Sequence, residues 1–459
     1  MRFLRGKWKY LLGVFTLAML TLWGNVPASS APAIPLRGIV EGFYGTPWSQ
    51  ADRLDMLQFC HDHKLNAYIY APKDDPYHRA KWREPYPADK MAELRVLIDA
   101  SKKQQVKFIF AISPGLDIHF DGPEGDADKI AMERKLTAMY EMGVRDFAIF
   151  FDDIKNKDAK GQAEFLNWLN ENFIAKHKDV APLITVPTEY FRQDMEAEGQ
   201  IKEYTRDFSA TLDKNILVLY TGEKVVPDGL TDEDYAKANK LYGRQLGVWW
   251  NYPVSDYLEA KLALGPIEKM PVKSEIPAIF YNPMKHAELS KISLATGADY
   301  ARNPSKYDAV KSWQKAIKSQ YGKLAPAMEA FADHNQHMVV SWAVIGPEDG
   351  AAMRQLMEAY WQDKSKGEKL TADLSKLDQS ISQLQQKLPA KALQECQPQL
   401  QQLQRIVRAD MLGIRILAGE QDKRAEFDTL LAEVKAHDKE AQASEKTCRA
   451  FLDKLAGLL

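Results

Sequence analysis

Cysteine is scarce. The 459 residues contain three, Cys60, Cys396 and Cys448, too few and too scattered for a disulfide framework or a structural zinc site. Cys60 lies on an apolar helical face, which predicts burial, while Cys396 and Cys448 are the pair that an oxidising compartment could join. An excess of either charge is also missing: 61 Lys and Arg stand against 63 Asp and Glu, for a formal net charge of −2. Bulk electrostatics therefore ask for neither nucleic acid nor an anionic membrane as partner, and a neutral, sugar-like substrate fits as well as any. Neither a GxGxxG fingerprint nor a P-loop occurs, which removes the usual cradles for dinucleotide and nucleotide phosphates. The 9 histidines form no recognisable ligand cluster, and His61 and His63, two apart on an expected helix, point to different faces. No metal site is expected.

Long apolar runs are confined to the N-terminus. Arg2, Arg5, Lys7 and Lys9 precede an apolar stretch from Leu11 to Trp23, and small residues follow from Pro27 to Ala33, the order of regions in a secretory signal. The apolar stretch is about 13 residues, short of the roughly 20 that span a bilayer. Cleavage is expected after Ala28, with no Cys nearby for a lipid anchor. Residues 1–28 are thus read as a signal peptide and 29–36 as a linker, and the mature protein is expected to be exported, periplasmic or secreted, and soluble.

From Arg37 onward one theme repeats: a short run rich in Val, Ile, Phe and Tyr, then an amphipathic stretch with helical spacing. The runs are Gly38 to Gly42, Ala67 to Ala71, Lys107 to Ile112, Phe147 to Phe151, Leu183 to Val186, Ile216 to Tyr220, Gly247 to Trp250, and Ala278 to Tyr281. Their starts recur at roughly the length of one βα unit, about 30 to 40 residues. Ser49 followed by Asp52 has the arrangement of a helix-capping box. Eight such units over residues 37–301 predict a closed (β/α)8 TIM barrel; an open α/β sheet is the alternative. Beyond Ala301 the pattern reads as helix throughout, so residues 302–459 are expected to form an all-α helical bundle. Leu370, Leu374, Leu377, Ile381, Leu384 and Leu388 form a seam closed by Pro389. Leu400, Leu403, Val407, Ile414 and Leu417 continue a similar face on a helix expected after Pro398.

In such a barrel the reactive groups gather at the C-terminal ends of the strands. Those ends carry Glu41-Gly42-Phe43-Tyr44-Gly45, Pro72-Lys73-Asp74-Asp75, Asp152-Asp153, Thr188-Glu189-Tyr190, Thr221-Gly222, Trp250-Asn251 and Asn282. Asp152 and Asp153 follow the apolar run ending at Phe151, and two adjacent acids repel, which favours a proton on one of them and suits general acid catalysis. Solvated acids at a helix N-terminus are the bland alternative. Trp249, Trp250, Tyr44, Tyr190 and Tyr252 lie near the same ends and offer faces on which sugar rings stack. Asn251, Asn282, Lys73 and Asp256 supply donors and acceptors for hydroxyls. Together they make a glycosidase the leading class.

Longer motifs sharpen this. Arg37-Gly38-Ile39-Val40-Glu41-Gly42-Phe43-Tyr44-Gly45-Thr46-Pro47-Trp48 with Tyr70-Ala71-Pro72-Lys73-Asp74-Asp75-Pro76-Tyr77-His78 closely resembles glycoside hydrolase family 84, the β-N-acetylglucosaminidases that include O-GlcNAcases and bacterial hyaluronidase-like enzymes. Phe151-Asp152-Asp153-Ile154, Pro187-Thr188-Glu189-Tyr190, the stretch from Trp249 to Tyr257 and the stretch from Asn282 to Glu288 continue the resemblance across the barrel. It implies that Asp153 is the general acid and base and that Asp152 orients the substrate's 2-acetamido group. It further implies that Gly42 and Lys73 contact the sugar, and that Asn251, Asp256 and Asn282 meet its hydroxyls and acetamido group. Tyr190 would hold the acetamido group or the oxazoline, with Thr221, Val225 and Trp249 lining the acetyl pocket. The implied reaction is retaining hydrolysis of terminal N-acetylglucosaminides through an oxazoline, with no cofactor and an N-acetylglucosamine-bearing glycan or glycoconjugate as partner. A catalytically silent N-acetylglucosamine-binding barrel remains the alternative, and a scaffold role for the helical tail a third.

Overall fold

The computed structural model describes residues 31–459; the expected signal peptide falls outside them. Eight strands close a barrel: β1 (Leu36–Glu41), β2 (Ala67–Tyr70), β3 (Lys107–Ile112), β4 (Asp146–Phe150), β5 (Ile184–Val186), β6 (Leu217–Tyr220), β7 (Gly247–Trp250) and β8 (Ala278–Tyr281). Each pairs in parallel with its sequence neighbours, and β8 returns to β1 with Arg37 opposite Ile279. The open-sheet alternative is thereby excluded. Strand alternation sorts the side chains into two layers. Val40, Ile69, Ile109, Phe150, Val186, Leu219, Trp249 and Phe280 fill the barrel's interior, while Ile39, Tyr68, Phe110, Ile149, Val218, Val248, Trp250 and Tyr281 pack outward. Closure requires a glycine at position 38, where a Cβ would lie 2.0 Å from the carbonyl oxygen of Ala67.

Helices follow most strands, beginning with Gln50–His63, whose N-terminus is capped by the Ser49 hydroxyl accepting from the Asp52 N–H at 3.2 Å. The unit after β7 departs from the strand–helix pattern. A single 3-10 turn, Asp256–Leu258, stands where a barrel helix would be, because Pro266 and Pro271 interrupt the segment. Post-barrel helices cover that side instead, with the Trp313 indole donating to the Leu264 carbonyl at 2.7 Å.

The region after Ala301 is helical but not throughout. Met338–Val340 and Ala343–Ile345 pair as an antiparallel hairpin, β9 and β10. Strands of three residues are too short to show alternation in a sequence. Leu370, Leu374, Leu377, Ile381 and Leu384 are buried along the helix Gly367–Lys387. The next helix, Ala390–Leu417, starts directly after Pro389 and carries Pro398 inside it, so Pro398 does not open a new helix. Position 398 lies past the first turn, so its missing N–H leaves the Gln394 carbonyl without the backbone donor four residues on. Leu400, Leu403, Val407 and Ile414 are buried there, whereas Leu417, at the helix end, is exposed. Cys60, Cys396 and Cys448 are all buried and free, so Cys396 and Cys448 do not pair.

Candidate active site

At the C-terminal mouth of the barrel lies a cavity of about 600 Å³, a size that fits a single sugar ring and part of its substituent. Gly42, Lys73, Asp152, Asp153, Tyr190, Thr221, Val225, Trp249, Asn251, Asp256 and Asn282 all line it. They come from the ends of seven different strands or the loops that follow, and barrel closure brings them together.

The two aspartates do opposite things. Asp152 is buried, and one of its oxygens is ion-paired to Lys73, which is buried as well. Among the described residues its Oδ1 has no hydrogen-bond partner, so a buried acceptor is left for a ligand donor. Asp153 adopts φ 55°, the left-handed region that a residue with a Cβ disfavours, and its side chain is exposed. Asp153 Oδ2 accepts from the Tyr44 hydroxyl and Oδ1 from the Tyr190 hydroxyl, each at 2.8 Å. The expected repulsion between neighbouring carboxylates is thus relieved by geometry: one is neutralised by a lysine, the other is turned away and held by two phenols. Burial, followed by the charge of Asp153, pushes both phenols far above their ordinary range, so they act as neutral donors.

The opposite wall is a network of fixed polar groups. Asn251 Oδ1 accepts from the Trp249 indole at 2.8 Å and from Asn282 Nδ2 at 3.0 Å. Asn251 in turn donates to the Val225 carbonyl at 2.8 Å, and Asn282 Oδ1 accepts from the Gly42 N–H at 3.3 Å. A Cβ at Gly42 would lie 2.4 Å from the Trp249 ring, so the glycine is what lets that indole lie across the floor. Asp256 accepts the Tyr44 N–H at 2.8 Å, and burial raises its carboxyl above the usual range despite that bond. Thr221 donates to the Lys224 carbonyl at 2.8 Å, shaping the loop that presents Val225.

Two aromatics expected near the site stand outside it. Trp250 and Tyr252 are buried away from the cavity, Trp250 because alternation turns it outward and Tyr252 because its hydroxyl is bound to the Gln336 carbonyl and the Gly265 N–H. Glu41, at a strand end, is also structural: it is fully buried, with both oxygens on Arg53. Conversely, Trp342 at the tip of the hairpin was not singled out by the sequence, yet it lines the cavity and packs against Tyr257 with ring centroids 5.2 Å apart. Nothing in the local sequence signals this, since Trp342 reaches the mouth from beyond the barrel. Val186, Val226 and Val254 complete the apolar lining.

The profile of the β-N-acetylglucosaminidase family matches residues 37–333, and that of a hyaluronidase post-catalytic domain-like family matches residues 352–452. Among curated proteins, Protein O-GlcNAcase of Rattus norvegicus is 31% identical over 277 residues, 58% of this chain and 30% of the relative, and that of Mus musculus gives the same figures. The chain therefore spans about 30% of the length of those relatives. Among solved structures, CpGH84B superposes with a TM-score of 0.87 at 38% identity, covering 93% of this chain and 77% of that one. A Thermobaculum terrenum O-GlcNAc hydrolase mutant gives 0.80 at 30% identity, covering 92% and 94%. With its catalytic-domain profile matched over more than half its length, the chain belongs to glycoside hydrolase family 84.

Proposed function

We propose that this chain is a retaining β-N-acetylglucosaminidase that removes terminal N-acetylglucosamine by substrate-assisted catalysis. The observation that carries the reading is the division of labour between the two aspartates: a buried carboxylate with one unsatisfied oxygen beside an exposed one held by two phenols. An amide N–H suits the first, and a glycosidic oxygen needing a proton suits the second. In this mechanism Asp152 Oδ1 accepts the acetamido N–H and so aims the acetamido oxygen at C1. Asp153 delivers a proton to the leaving oxygen as the C1–O bond breaks and the oxazoline forms. Asp153 then takes a proton from the water that opens the oxazoline, and two inversions give retention. Lys73 holds Asp152 in place through their ion pair. Thr221, Val225 and Trp249 surround the acetyl group, while Asp256, Asn251 and Asn282 read the sugar's hydroxyls. A silent binding barrel would need no such split between the two carboxylates.

The relatives' names, O-GlcNAcase and O-GlcNAc hydrolase, support a GlcNAc-bearing glycoconjugate as substrate. The charged N-terminus, apolar stretch and small residues before Ser29 support export; mass spectrometry of the mature protein is expected to find Ser29 first, and an intact Met1 would overturn this.

The test of the reaction uses aryl N-acetylglucosaminides. Asp153→Asn is expected to lower turnover by about 10²- to 10⁴-fold when the leaving group is poor and far less when it is good. Asp152→Asn is expected to slow both alike, and trifluoroacetyl substrates are expected to react slowly with the native protein. Indifference to acyl fluorination together with a trapped glycosyl-enzyme would overturn the mechanism; no release of aryl alcohol at all would favour the silent barrel.

A further inference from the structure

Arg79 takes no part in the reaction as proposed, yet it joins two of the loops that meet at Asp153. It sits on the segment between β2 and β3, where Asp74 also accepts the Gly45 N–H at 3.0 Å. Its Nη1 donates to the Tyr44 hydroxyl oxygen at 3.0 Å and its Nη2 to the backbone carbonyl of Asp153 at 3.2 Å. The guanidinium also lies over the Tyr44 ring, 5.4 Å from its centroid.

Arginine carries donors only. Because the Tyr44 oxygen already receives a hydrogen from Arg79, the hydroxyl is polarised into a better donor and a poorer acceptor toward Asp153 Oδ2, 2.8 Å away. The partner of Oδ1, Tyr190, is not polarised in this way: among the described residues no donor reaches its hydroxyl oxygen, and its one recorded bond is the 2.8 Å contact to Asp153. The second contact of Arg79, on the Asp153 carbonyl, braces a peptide whose residue holds φ 55°, a conformation that persists where neighbours over-determine it.

We propose that Arg79 is a positioning residue that selects which oxygen of Asp153 transfers the proton: Oδ2 stays bound to Tyr44, and Oδ1 exchanges Tyr190 for the leaving oxygen. This rests on the reading of Asp153 as acid and base. In the first step the proton on Oδ1 passes to the glycosidic oxygen as the C1–O bond breaks and the acetamido oxygen bonds to C1. In the second, a water proton returns to Oδ1 as the water oxygen bonds to C1 and the oxazoline C1–O bond breaks. Tyr190, released from Oδ1, is free to turn to the acetamido group.

The experiment compares Arg79→Gln, Arg79→Lys, Tyr44→Phe and the Arg79→Gln/Tyr44→Phe double variant in the full chain, on aryl N-acetylglucosaminides with good and poor leaving groups. Arg79→Gln is expected to lower kcat about tenfold on the poor leaving group, with KM little changed, and much less on the good one. Arg79→Lys, whose single ammonium cannot span both acceptors, falls between Arg79→Gln and the native protein. The double variant is expected to lose less than the product of the two single losses, because Arg79 and Tyr44 share one contact to Asp153. Equal losses on both leaving groups, a loss confined to KM, or multiplying effects in the double variant would overturn the proposal. Melting curves check folding, and if Arg79→Gln does not fold, Arg79→Lys and Tyr44→Phe decide by the same leaving-group comparison. Should Asp153→Asn itself show no leaving-group dependence, the parent reading is at fault; should it show one while the Arg79 variants do not, only the role of Arg79 fails.

Discussion

Asp410 shows how much a single buried group can weigh. It lies fully buried in the helix Ala390–Leu417, and among the described residues neither of its carboxyl oxygens has a hydrogen-bond partner. Burial pushes its carboxyl well above the usual range; Asp453 adds to the shift and Arg449 opposes it. The folded protein therefore holds a proton that the unfolded chain releases above about pH 4. The stability associated with this group is full below that value and is lost as pH rises toward the folded-state value. Asp410→Asn is expected to raise the melting temperature by a few degrees at pH 8, with the gain fading as pH falls below about 4; an equal gain at both pH values would contradict the linkage. Gly42 weighs on the site instead. Gly42→Ala would drive a Cβ into the Trp249 ring, whose indole holds Asn251. kcat/KM is expected to fall tenfold or more, since a misplacement of about 1 Å can cost about 10²-fold, and steady-state kinetics on an aryl glycoside would show it.

Elements from outside the barrel finish what its strands begin. The hairpin of β9 and β10 puts Trp342, half exposed at 50%, on the cavity rim beside Tyr257. If the proposed sugar fills the cavity, an exposed ring at its rim is placed to meet the aglycone, so Trp342→Ala is expected to raise KM roughly three- to tenfold for bulky aglycones and little for a methyl glycoside. A buried clasp links the hairpin's flank to the tail: Lys261, after β7, pairs with Asp349 at 2.5 Å and also with Glu445. Lys261→Met would strand two acids, one of them fully enclosed, and is expected to cost about 3–5 kcal/mol in denaturant unfolding. A loss below ~1 kcal/mol would mean that water already reaches the clasp.

For the whole molecule, the helical region supplies polar partners to the barrel. Glu395 accepts the N–H groups of Glu288 and Leu289 at the start of the helix Ala287–Arg302, at 3.2 and 2.9 Å. Gln399 and the Gln442 N–H both donate to the Ala260 carbonyl at 2.8 Å, and Lys391 pairs with Asp52 at 2.8 Å. A chain ending at Ala301 would orphan these groups and expose the apolar surface around them. Its soluble yield and activity are expected to collapse; a truncated barrel as active and stable as the full chain would mark the tail as an independent module.

Much of this was legible in the order of residues. Strand period and spacing are local properties, so the eight strands could be placed to within one or two residues, and barrel geometry then brings their C-terminal ends, with Lys73, Asp152, Asn251 and Asn282, to one mouth. What the order of residues could not decide was orientation and reach. That Trp249 faces the cavity while Trp250 does not depends on the phase of β7 within the closed sheet. The split between Asp152 and Asp153 depends on a left-handed backbone and on partners drawn from three other loops, Lys73, Tyr44 and Tyr190. Trp342 and Arg79 join the site only through packing, because contacts between residues distant in the chain leave no periodic trace in it. The chain's local chemistry determined which groups the site would contain; the closed barrel and the helices against it decided which way those groups face, since only tertiary packing pairs one residue's donor with another's acceptor.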